Sequence, residues 1–553
     1  MQPIEARRLT GPGMLWDRPG AVLDLFGADA DFAAGWQVQA RRLLDAVGWP
    51  DEALIALPFD GGVTLALSAP VDQLYSAVSL AEAAWALCSA GGDFAAIVAA
   101  LRAEAAAEAD PALRGLVAGA EARGIDALWD EDAVSLGHGA GSQVWPVGAL
   151  PDAVDWDGLH NIPVALITGT NGKTTTTRLC AAIGRAAGLV AGLTSTDMVQ
   201  VGARVLDKGD FSGPGGARML LRDPQVQVAF LELARGGILR RGLPVRQARA
   251  AAVLNVAADH LGEYGVNTVA ALARAKFAVR RGLAAGGIMV LNADDPLVVA
   301  EAAGIDGPIW WFSLSPLRRD TPGAWLDGEA LVFWDGSALH PVTTVSALPV
   351  AMGGAARHNI LNALAAICLT RALGIGYDAI RAGLQGFQNS PQDNPGRINE
   401  FAVAGARVFV DFAHNPHSIA AVTATLAGVP ARRRFVMIAQ AGDRSDEDIR
   451  GLVAGALALP FDYVVASELA GYLRGRALGV IPDLIAQTCL EMGLSAAQVL
   501  RAASPKAGAE LVLAMLKPGD LALLLVHSER DAVFAMLEAA QGQSALPTSS
   551  KLA

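Results

Sequence analysis

The sequence predicts an α/β protein with two mostly parallel sheets, preceded by a small α+β N-terminal domain. Short apolar runs typical of buried strands recur along the chain and alternate with helix-like segments, which is the pattern of parallel sheets covered on both faces. A glycine-rich loop, Thr168–Thr174, follows one such run and precedes a helix, as phosphate-binding loops do. The first 155 residues instead mix short strands with alanine-rich helices.

The N-terminal region, 1–155, has the pattern of a small α+β domain. Its apolar runs predict strands at Ala21–Leu25, Leu54–Leu57 and Val63–Leu67. One long helix is predicted from about Ser79 to Ala107, where apolar residues follow helical spacing. Gly137–Gly141 is rich in glycine and is followed by Pro146, Pro151 and Trp156, so we predict a loop or linker there.

The rest of the chain is predicted to form two further domains, 156–396 and 397–540. The boundary is placed at Pro391, Pro395 and Gly396, and the polar, serine-containing tail 541–553 is predicted to be disordered. The apolar runs that predict the strands of these domains are Val164–Ile167, Val228–Leu233, Ala252–Val256, Gly287–Leu291, Val408–Val410, Phe435–Ile438, Tyr463–Val465 and Leu521–Val526.

Composition and charge exclude several functional classes. Hydrophobic residues make up 52% and charged residues 18% of the 553 residues, which excludes a largely disordered chain. The formal net charge of −12 argues against nucleic acid or an anionic membrane as a partner. The apolar runs are shorter than a membrane span and no signal peptide is recognisable, so we expect a cytoplasmic protein. The four cysteines lack disulfide-type or zinc-type spacing.

The glycine-rich loop predicts a nucleotide site. Glycines let a backbone curl so that its N–H groups surround phosphate oxygens, Lys173 would reach the β- and γ-phosphates, and the Thr174 hydroxyl would bind magnesium. Two residues separate the two glycines, where the general pattern has four, so a tight turn without a ligand is the alternative. The predicted nucleotide-binding residues of the loop are Gly169, Thr170, Asn171, Gly172, Lys173, Thr174 and Thr175.

Polar residues stand where two later strands are predicted to end. Glu232 closes one apolar run and His260 follows another. Open α/β sheets bind their ligands at the carboxyl ends of the strands, the edge that also carries the glycine-rich loop. We therefore predict that Glu232 binds one magnesium ion and His260 a second; for either residue alone, a structural role is the alternative.

These residues resemble the motifs of the Mur ligase superfamily. The matching positions, in the order of that superfamily, are Gly169–Thr174, Glu232, Asn255, Asp259–His260, Lys276, His358–Asn359, Asn362–Ala363, Gly396–Arg397 and Asp411–Pro416. Within it, the chain is similar to the Mur-ligase-like half of the cyanophycin synthetase family. That similarity is seen at Lys208–Asp210, Ser212–Pro214, Leu221–Pro224, Ala234–Arg240, Leu254–Leu261, Leu291–Pro296, Gly442–Arg450 and Arg474–Arg476.

Two departures from that synthetase family stand out. The chain passes from Gly139 to Pro163 in two dozen residues, where the family has an ATP-grasp domain that adds aspartate to the polymer backbone. The resemblance therefore implies a synthetase reduced to its second reaction, the attachment of an amine to a carboxylate. The neutral segment Leu469–Gly471 stands where the family is richer in acidic residues, which bears on whether the amine is the cation arginine.

The resemblance also implies the fold and the cofactors. It implies a phosphate-loop central domain with a mostly parallel sheet and a Rossmann-like α/β C-terminal domain. ATP is expected between these domains, with two magnesium ions. Thr174 and Glu232 would bind one ion, and His260 and a carbamylated Lys276 the other, because an unmodified ammonium would repel the metal.

Further site residues follow from the same resemblance. Asn359 is expected to contact adenine, and Arg397 and Asp411 the nucleotide. The residues expected to take part in catalysis are Lys173, His260, Lys276, Arg397 and His414. The candidate substrate residues are Ser212, Arg218, Arg235, Asp443, Arg444, Glu468 and Arg474.

The predicted function is that of an ATP-dependent acid–amino-acid ligase that works through an acyl phosphate. It would join an amino acid such as arginine to an aspartyl carboxylate of a cyanophycin-like peptide or a related small carboxylate. The alternatives are a non-catalytic partner subunit of a full synthetase and a Mur- or folate-type ligase with an unrelated acceptor. We expect a homo-oligomer and, as a possible partner, a separate ATP-grasp ligase or a full synthetase.

Overall fold

The computed structural model describes residues 3–545, which form two compact units. The first unit contains the chain up to Val342 together with Leu361–Leu384, and the second contains Thr343–Ile360 together with the chain from Gln385 onward. Thr343–Ile360 therefore belongs to the second unit, whereas the sequence placed it in the central domain. Within the described residues, no helix is long and apolar enough to cross a membrane.

The first unit begins with a four-stranded antiparallel sheet in the order β1-β2-β4-β3. A small three-stranded sheet, β5-β6-β7, follows it. The elements of this N-terminal region are β1 (Pro3–Leu9), β2 (Gly20–Phe26), α1 (Ala30–Val47), β3 (Leu54–Phe59), β4 (Gly62–Ser68), α2 (Leu74–Ser89), α3 (Phe94–Glu108), α4 (Pro111–Glu121), β5 (Ala127–Trp129), β6 (Ala133–Leu136) and β7 (Gln143–Pro146).

One prediction for this region is wrong. The single helix from Ser79 to Ala107 is two helices, because Gly91 and Gly92 take positive φ angles and the Asp93 side chain caps the start of α3. The predicted loop or linker after β6 packs closely against the chain next to β12. It contains β7, and Gly139 is so close to the Val226 carbonyl that a Cβ there would lie 2.2 Å from the oxygen.

The central sheet of the first unit has the order β11-β10-β9-β12-β8-β13-β14-β15-β16-β17-β18. Its strands from β9 to β16 pair in parallel in that order, which confirms a mostly parallel sheet. The strands are β8 (Val164–Thr168), β9 (Ala191–Thr194), β10 (Met198–Val201), β11 (Arg204–Lys208), β12 (Val228–Glu232), β13 (Ala248–Val253), β14 (Leu283–Asn292), β15 (Ile309–Ser313), β16 (Gly323–Asp327), β17 (Ala330–Trp334) and β18 (Leu339–Thr344).

Helices follow most of the parallel strands and cover the sheet, which buries a large apolar core. Strand β13 ends at Val253, so the predicted strand residues Leu254–Val256 lie in the loop beyond it. The helices that follow along the chain are α5 (Lys173–Ala186), α6 (Pro214–Leu221), α7 (Arg235–Arg241), α8 (Val269–Phe277), α9 (Pro296–Ala302), α10 (Arg357–Ala372) and α11 (Tyr377–Gly386).

The second unit contains a six-stranded sheet in the order β19-β20-β24-β21-β22-β23, in which only β19 is antiparallel to its neighbour. This is the α/β C-terminal domain that the sequence predicted. Its elements are β19 (Asn399–Val403), β20 (Ala406–Asp411), α12 (Pro416–Ala427), β21 (Arg434–Ala439), α13 (Asp446–Leu457), β22 (Tyr463–Ser467), α14 (Val480–Glu491), β23 (Val499–Ala502), α15 (Pro505–Met515), β24 (Leu521–Leu525) and α16 (Arg530–Ala545).

Helix α16 bears on the predicted disordered tail. It continues to Ala545, so residues 541–545 are helical and the prediction of disorder is wrong for them. The remainder of the predicted tail, 546–553, lies outside the described residues.

Candidate active site

The glycine-rich loop connects the end of β8 to the first residue of α5. Gly169 and Gly172 have φ angles of +157° and +84°, and Gly172 is the N-cap of the helix. A Cβ on Gly172 would lie 2.3 Å from Asn362 Oδ1, on α10. The positive φ angle and this close approach favour glycine where the loop enters α5, and the start of a helix is a place where backbone N–H groups bind anions.

A second loop, after β13, fixes the conformation of the first. The Asn171 N–H donates to Asn255 Oδ1 (2.8 Å), and Asn255 Nδ2 donates to the Asn171 carbonyl (3.0 Å). The Thr170 N–H donates to the Asn255 carbonyl at 2.9 Å. These three hydrogen bonds join loops that follow neighbouring parallel strands. They therefore fix the conformation of the glycine-rich loop.

Two lysines meet at this loop. Lys173 Nζ donates to the carbonyls of Gly169 (3.1 Å) and Thr170 (2.9 Å), and Lys276 Nζ, on α8, donates to the same Gly169 carbonyl at 2.9 Å. Burial, together with the charges of Lys173 and Arg235, holds the pKa of Lys276 well below its usual range. These are the contacts of an unmodified amine, so the structure does not support carbamylation of Lys276.

Thr174 and Glu232 provide hard oxygen ligands at the same edge of the sheet. Glu232 is buried at the carboxyl end of β12, and β12 pairs with β8, whose end leads into the loop. Thr174 is also buried, with its hydroxyl 3.3 Å from that of Thr196. A buried carboxylate and a hydroxyl beside a phosphate loop fit Mg²⁺, which prefers such ligands and completes its shell with water and phosphate oxygens. Among residues 3–545, no group of three or more His, Cys, Asp or Glu side chains is placed to hold a metal.

His260 lies on the loop that joins β13 to α8 and has a φ angle of +50°. Arg235, the first residue of α7, donates through Nη1 to the His260 carbonyl at 2.5 Å and forms an ion pair with Glu263. Arg235 is buried. Arg235 therefore binds the backbone of His260 and a side chain of the same loop. The sequence predicted Arg235 only as a candidate substrate residue.

The other predicted acceptor residues have different surroundings. Ser212 is buried and donates to Asp210 Oδ1 (2.6 Å), and its carbonyl accepts from the Ala234 N–H, directly before Arg235. Arg218 Nε instead contacts Asp130 Oδ2 at 3.2 Å, in the N-terminal region. Its guanidinium is thus paired with a carboxylate of the protein, and its role at the substrate stays a prediction.

In the second unit, Asp411 ends β20 and is buried. Its carboxylate accepts from the Ile398 N–H (2.8 Å) and the Ala413 N–H (2.7 Å). Burial raises the pKa of Asp411, and the nearby charge of Arg397 opposes that rise. The Arg397 guanidinium lies 4.8 Å from the centre of the Phe412 ring. Arg397 and Asp411 therefore lie together at the carboxyl end of β20.

His414 follows in the same loop and has a neighbour that the sequence did not reveal. His414 Nδ1 lies 2.9 Å from the Phe412 carbonyl. His527, directly beyond β24, places Nε2 2.9 Å from the Ala413 carbonyl, and the two imidazole rings are 6.2 Å apart. Burial and the proximity of His414 lower the pKa of His527 to about 3. The sequence did contain a signal for His527, because it is a polar residue that follows an apolar strand. It lies near His414 because the strands they follow, β24 and β20, are neighbours in the sheet.

Two loops beyond β21 and β22 carry four further candidates. Arg476 joins them: its Nε donates to the Gly442 carbonyl (2.9 Å) and its Nη2 to the Arg444 carbonyl (2.6 Å). Arg444 is buried, whereas Asp443 and Arg474 are exposed. The fourth candidate, Glu468, is buried, and its carboxylate accepts from the backbone N–H groups of two residues, Leu469 (2.9 Å) and Gly479 (2.6 Å).

The last candidate, Asn359, lies near the start of α10 and is buried. Its Nδ2 donates to the Val350 carbonyl at 3.0 Å, within the second unit. Its neighbour His358 has a pKa lowered to about 4, by burial first and by His417 second.

This geometry agrees with comparisons with known families. Residues 167–370 match the Mur ligase middle domain, and residues 396–525 match the family described as Mur ligase, glutamate ligase domain. Together the matches span more than half of the chain. The chain belongs to the Mur ligase family. The phosphate loop, Glu232 and Lys276 lie in its middle domain, and Arg397, Asp411 and His414 in its C-terminal domain.

Curated relatives add detail on the family. The chain is 42% identical over 332 residues to a cyanophycin synthetase of Crocosphaera subtropica, an alignment that covers 59% of this chain and 38% of the relative. It therefore spans about two fifths of the length of the synthetases it matches. It is 33% identical over 297 residues to a UDP-N-acetylmuramoylalanine–D-glutamate ligase of Thermobifida fusca, covering 52% of this chain and 57% of that protein.

Solved structures share the fold. The structure described as E. coli FolC in complex with DHPP and ADP matches with a TM-score of 0.53 at 20% identity, covering 69% of this chain and 89% of that one. A bifunctional folylpolyglutamate synthase/dihydrofolate synthase with Mn, AMPPNP and L-glutamate bound matches with a TM-score of 0.52 at 19% identity, covering 68% and 89%. These likenesses establish the α/β fold of a Mur ligase.

Proposed function

We propose that this Mur ligase family member is an ATP-dependent ligase that joins a carboxylate to an amine through an acyl phosphate. One observation carries the proposal: Lys173, Lys276, Thr174 and Glu232 are grouped around the Gly169–Gly172 loop and the start of α5. Cations and donors grouped in this way suit a reaction in which charge develops on a transferred phosphoryl group.

In the first step, an oxygen of the acceptor carboxylate attacks the γ-phosphorus of ATP, and ADP leaves as the acyl phosphate forms. The backbone N–H groups at the start of α5 bind phosphate oxygens. Lys173 exchanges its bonds to the Gly169 and Thr170 carbonyls for phosphate oxygens. Thr174 and Glu232 would hold magnesium, which would supply positive charge to screen the phosphates from the carboxylate.

In the second step, the amine nitrogen attacks the acyl carbon, inorganic phosphate leaves, and the nitrogen loses a proton as the amide forms. His414 is our candidate to accept that proton. If its Nδ1–H donates to the Phe412 carbonyl, its Nε2 is the unprotonated nitrogen and is able to act as a base.

For the substrates, we propose an aspartyl carboxylate of a short peptide as the acceptor and an amino acid such as arginine as the amine. The 42% identity to a cyanophycin synthetase supports this choice. A cationic amine requires a carboxylate, and Glu468 is already occupied by the Leu469 and Gly479 N–H groups. We assign the binding of the cationic amine to Asp443, which is exposed. Asp443 follows β21 and His414 follows β20, and one strand, β24, separates these two in the sheet.

The acyl phosphate is testable without knowing the amine. Purified protein is incubated with ATP, magnesium, a panel of aspartyl peptides and hydroxylamine, which converts an acyl phosphate to a hydroxamate. We expect a hydroxamate that requires ATP and the peptide, and no hydroxamate from Lys173→Ala. ATP binding without hydroxamate for any aspartyl peptide, together with hydroxamate from a folate or a muramyl peptide, would move the assignment to a different acceptor. ATP binding with no hydroxamate from any carboxylate would contradict the proposal.

A further inference from the structure

The loop that carries His260, residues 257–268, is held from two directions. On its inner side, Arg235 bonds the His260 carbonyl, and Val266 is buried in the central core. His260 and Tyr264 both adopt positive φ angles, +50° and +53°, which cost free energy in residues other than glycine. Such a conformation persists only when the surrounding structure imposes it.

The outer side of this loop is covered by the hairpin β3–β4 of the N-terminal region. Asn267 Nδ2 donates to the Asp60 carbonyl, at the turn of the hairpin, over 2.6 Å. Gly265 packs against the Phe59 ring so closely that a Cβ on it would lie 2.8 Å from Phe59 Cδ1. These contacts join residues about 200 positions apart in the sequence, so the loop conformation depends on an element that the catalytic motifs do not include.

Strand β1 of the same region supports the loop a second way, through α7. The Thr10 N–H donates to the Arg241 carbonyl (2.9 Å), and Arg7 Nε donates to the Leu239 carbonyl (3.0 Å). Carbonyls at the end of a helix lack partners within the helix, so these bonds fix the end of α7. The other end of α7 is Arg235, which holds His260. The Arg7 guanidinium also lies 5.0 Å from the centre of the Tyr264 ring.

We propose that the N-terminal region positions the catalytic centre: the β3–β4 hairpin, through Phe59 and Asp60, holds the 257–268 loop, and with it His260, in the conformation that Arg235 fixes from the inner side. Phe59 and Asn267 are positioning residues, since they act through the backbone of the loop. The effect on catalysis rests on the proposed function. The structural coupling between the hairpin and the loop does not, and it is measured separately.

The test uses the full chain with Asn267→Ala and Phe59→Ala, and Leu57→Ala as the matched control. Leu57 belongs to the same strand, and its side chain is 41% exposed. Hydrogen–deuterium exchange is followed in peptides covering 257–268 and, for comparison, 169–186. Loss of one hydrogen bond of ordinary strength corresponds to about two- to tenfold faster exchange in the loop it held.

We expect that increase for 257–268 in both variants, with 169–186 unchanged and Leu57→Ala like the parent. In the ligase assay, the same two variants are expected to need about two- to tenfold more magnesium for half-maximal rate at an unchanged KM for ATP. The proposal is overturned if Asn267→Ala leaves the exchange rate of 257–268 unchanged. It is also overturned if the exchange rate of 169–186 increases as much as that of 257–268. If the chain lacks ligase activity, the exchange arm still decides the coupling. If Phe59→Ala fails to fold, Asn267→Ala decides it alone.

Discussion

Lys173 and Lys276 donate to one backbone oxygen, the Gly169 carbonyl, at 3.1 and 2.9 Å. One lysine begins α5 and the other lies near the end of α8, 103 positions later in the sequence. Burial, together with the charge of Lys173, holds the pKa of Lys276 well below its usual range, and a bound polyphosphate would oppose that shift. The loop is therefore organised for an anion before any ligand arrives.

The first prediction concerns Lys173, the less buried lysine of the pair. Lys173→Ala should lower kcat by about 10²–10³-fold, because it removes a cation that faces the transferred phosphoryl group. Its effect on the free energy of unfolding should be small, since Lys173 is only half-buried. Steady-state phosphate release and urea denaturation measure the two effects. Lys517→Ala, which removes an exposed lysine far along the chain, is the control.

The second prediction concerns Lys276, whose pKa burial holds well below its usual range. Between that lowered pKa and the unfolded value, the unfolded state binds a proton that the native state lacks, so stability should rise with pH. Lys276→Met should remove this rise, increase the free energy of unfolding at neutral pH and abolish activity. Urea denaturation at pH 7 and pH 9 measures it. A parent and a variant with the same slope would contradict the prediction.

The third prediction isolates the close approach at Gly172. Gly172→Ala combines a left-handed backbone with a Cβ 2.3 Å from Asn362 Oδ1, so ATP affinity and stability should both fall. Gly188→Ala, at φ +77° with nothing within 4 Å of its Cβ, should cost only the backbone strain of about 1–2 kcal/mol. Asn362→Ala should partly restore ATP binding in the Gly172→Ala background. Calorimetric titration of ATP compares the variants, and no restoration would mean that the contact is not the cause.

The fourth prediction concerns the histidines of the second unit. The pKa values of His527 and His358 are lowered to about 3 and about 4 by burial. Both therefore contribute stability that is fully present above pH 6.5 and is lost as the pH falls toward those values. His527→Gln keeps a donor near the Ala413 carbonyl and should make stability less steep between pH 6.5 and 5, by at most about 1.4 kcal/mol per pH unit. An equal slope in the variant would contradict it.

The fifth prediction concerns the buried carboxylate of Asp411. Its two oxygens each accept a backbone N–H, from Ile398 and Ala413, and an amide offers only one acceptor oxygen. Asp411→Asn should therefore reduce the free energy of unfolding by about 1–3 kcal/mol and slow the reaction. Glu400→Gln, which breaks an exposed ion pair with Arg407, should cost at most about 1 kcal/mol. Urea denaturation of both variants makes the comparison.

Much of the fold was predictable because local patterns determine it. The apolar runs at β8, β12 and β24 were recognisable as strands, and the carboxyl ends of parallel strands meet at one edge. Gly91 and Gly92 indicated the break between α2 and α3. The alanine-rich composition on both sides outweighed that signal, and one helix was predicted.

Long-range partners were not predictable from local patterns. Arg218 is a candidate substrate residue, and its contact with Asp130, 88 positions away, was not visible in the sequence. Glu468 is another candidate substrate residue, and the sequence did not reveal that its carboxylate accepts from the N–H groups of Leu469 and Gly479. His527 was missed because its neighbour His414 is more than 100 positions distant. Residue type and spacing indicate which chemistry a side chain is capable of. Only the folded structure shows which other groups of the protein that side chain contacts.

The measurement that tests the central claim most directly is product formation from a peptide–amine matrix. Purified protein, ATP and magnesium are combined with each aspartyl peptide and each amine of a panel that includes arginine and lysine, and both phosphate release and product mass are recorded. The account predicts one phosphate per amide, and a product heavier than the peptide by the amine minus water, formed by the parent and not by Lys173→Ala. Phosphate release that never requires an amine, or a product of unchanged mass, would contradict it.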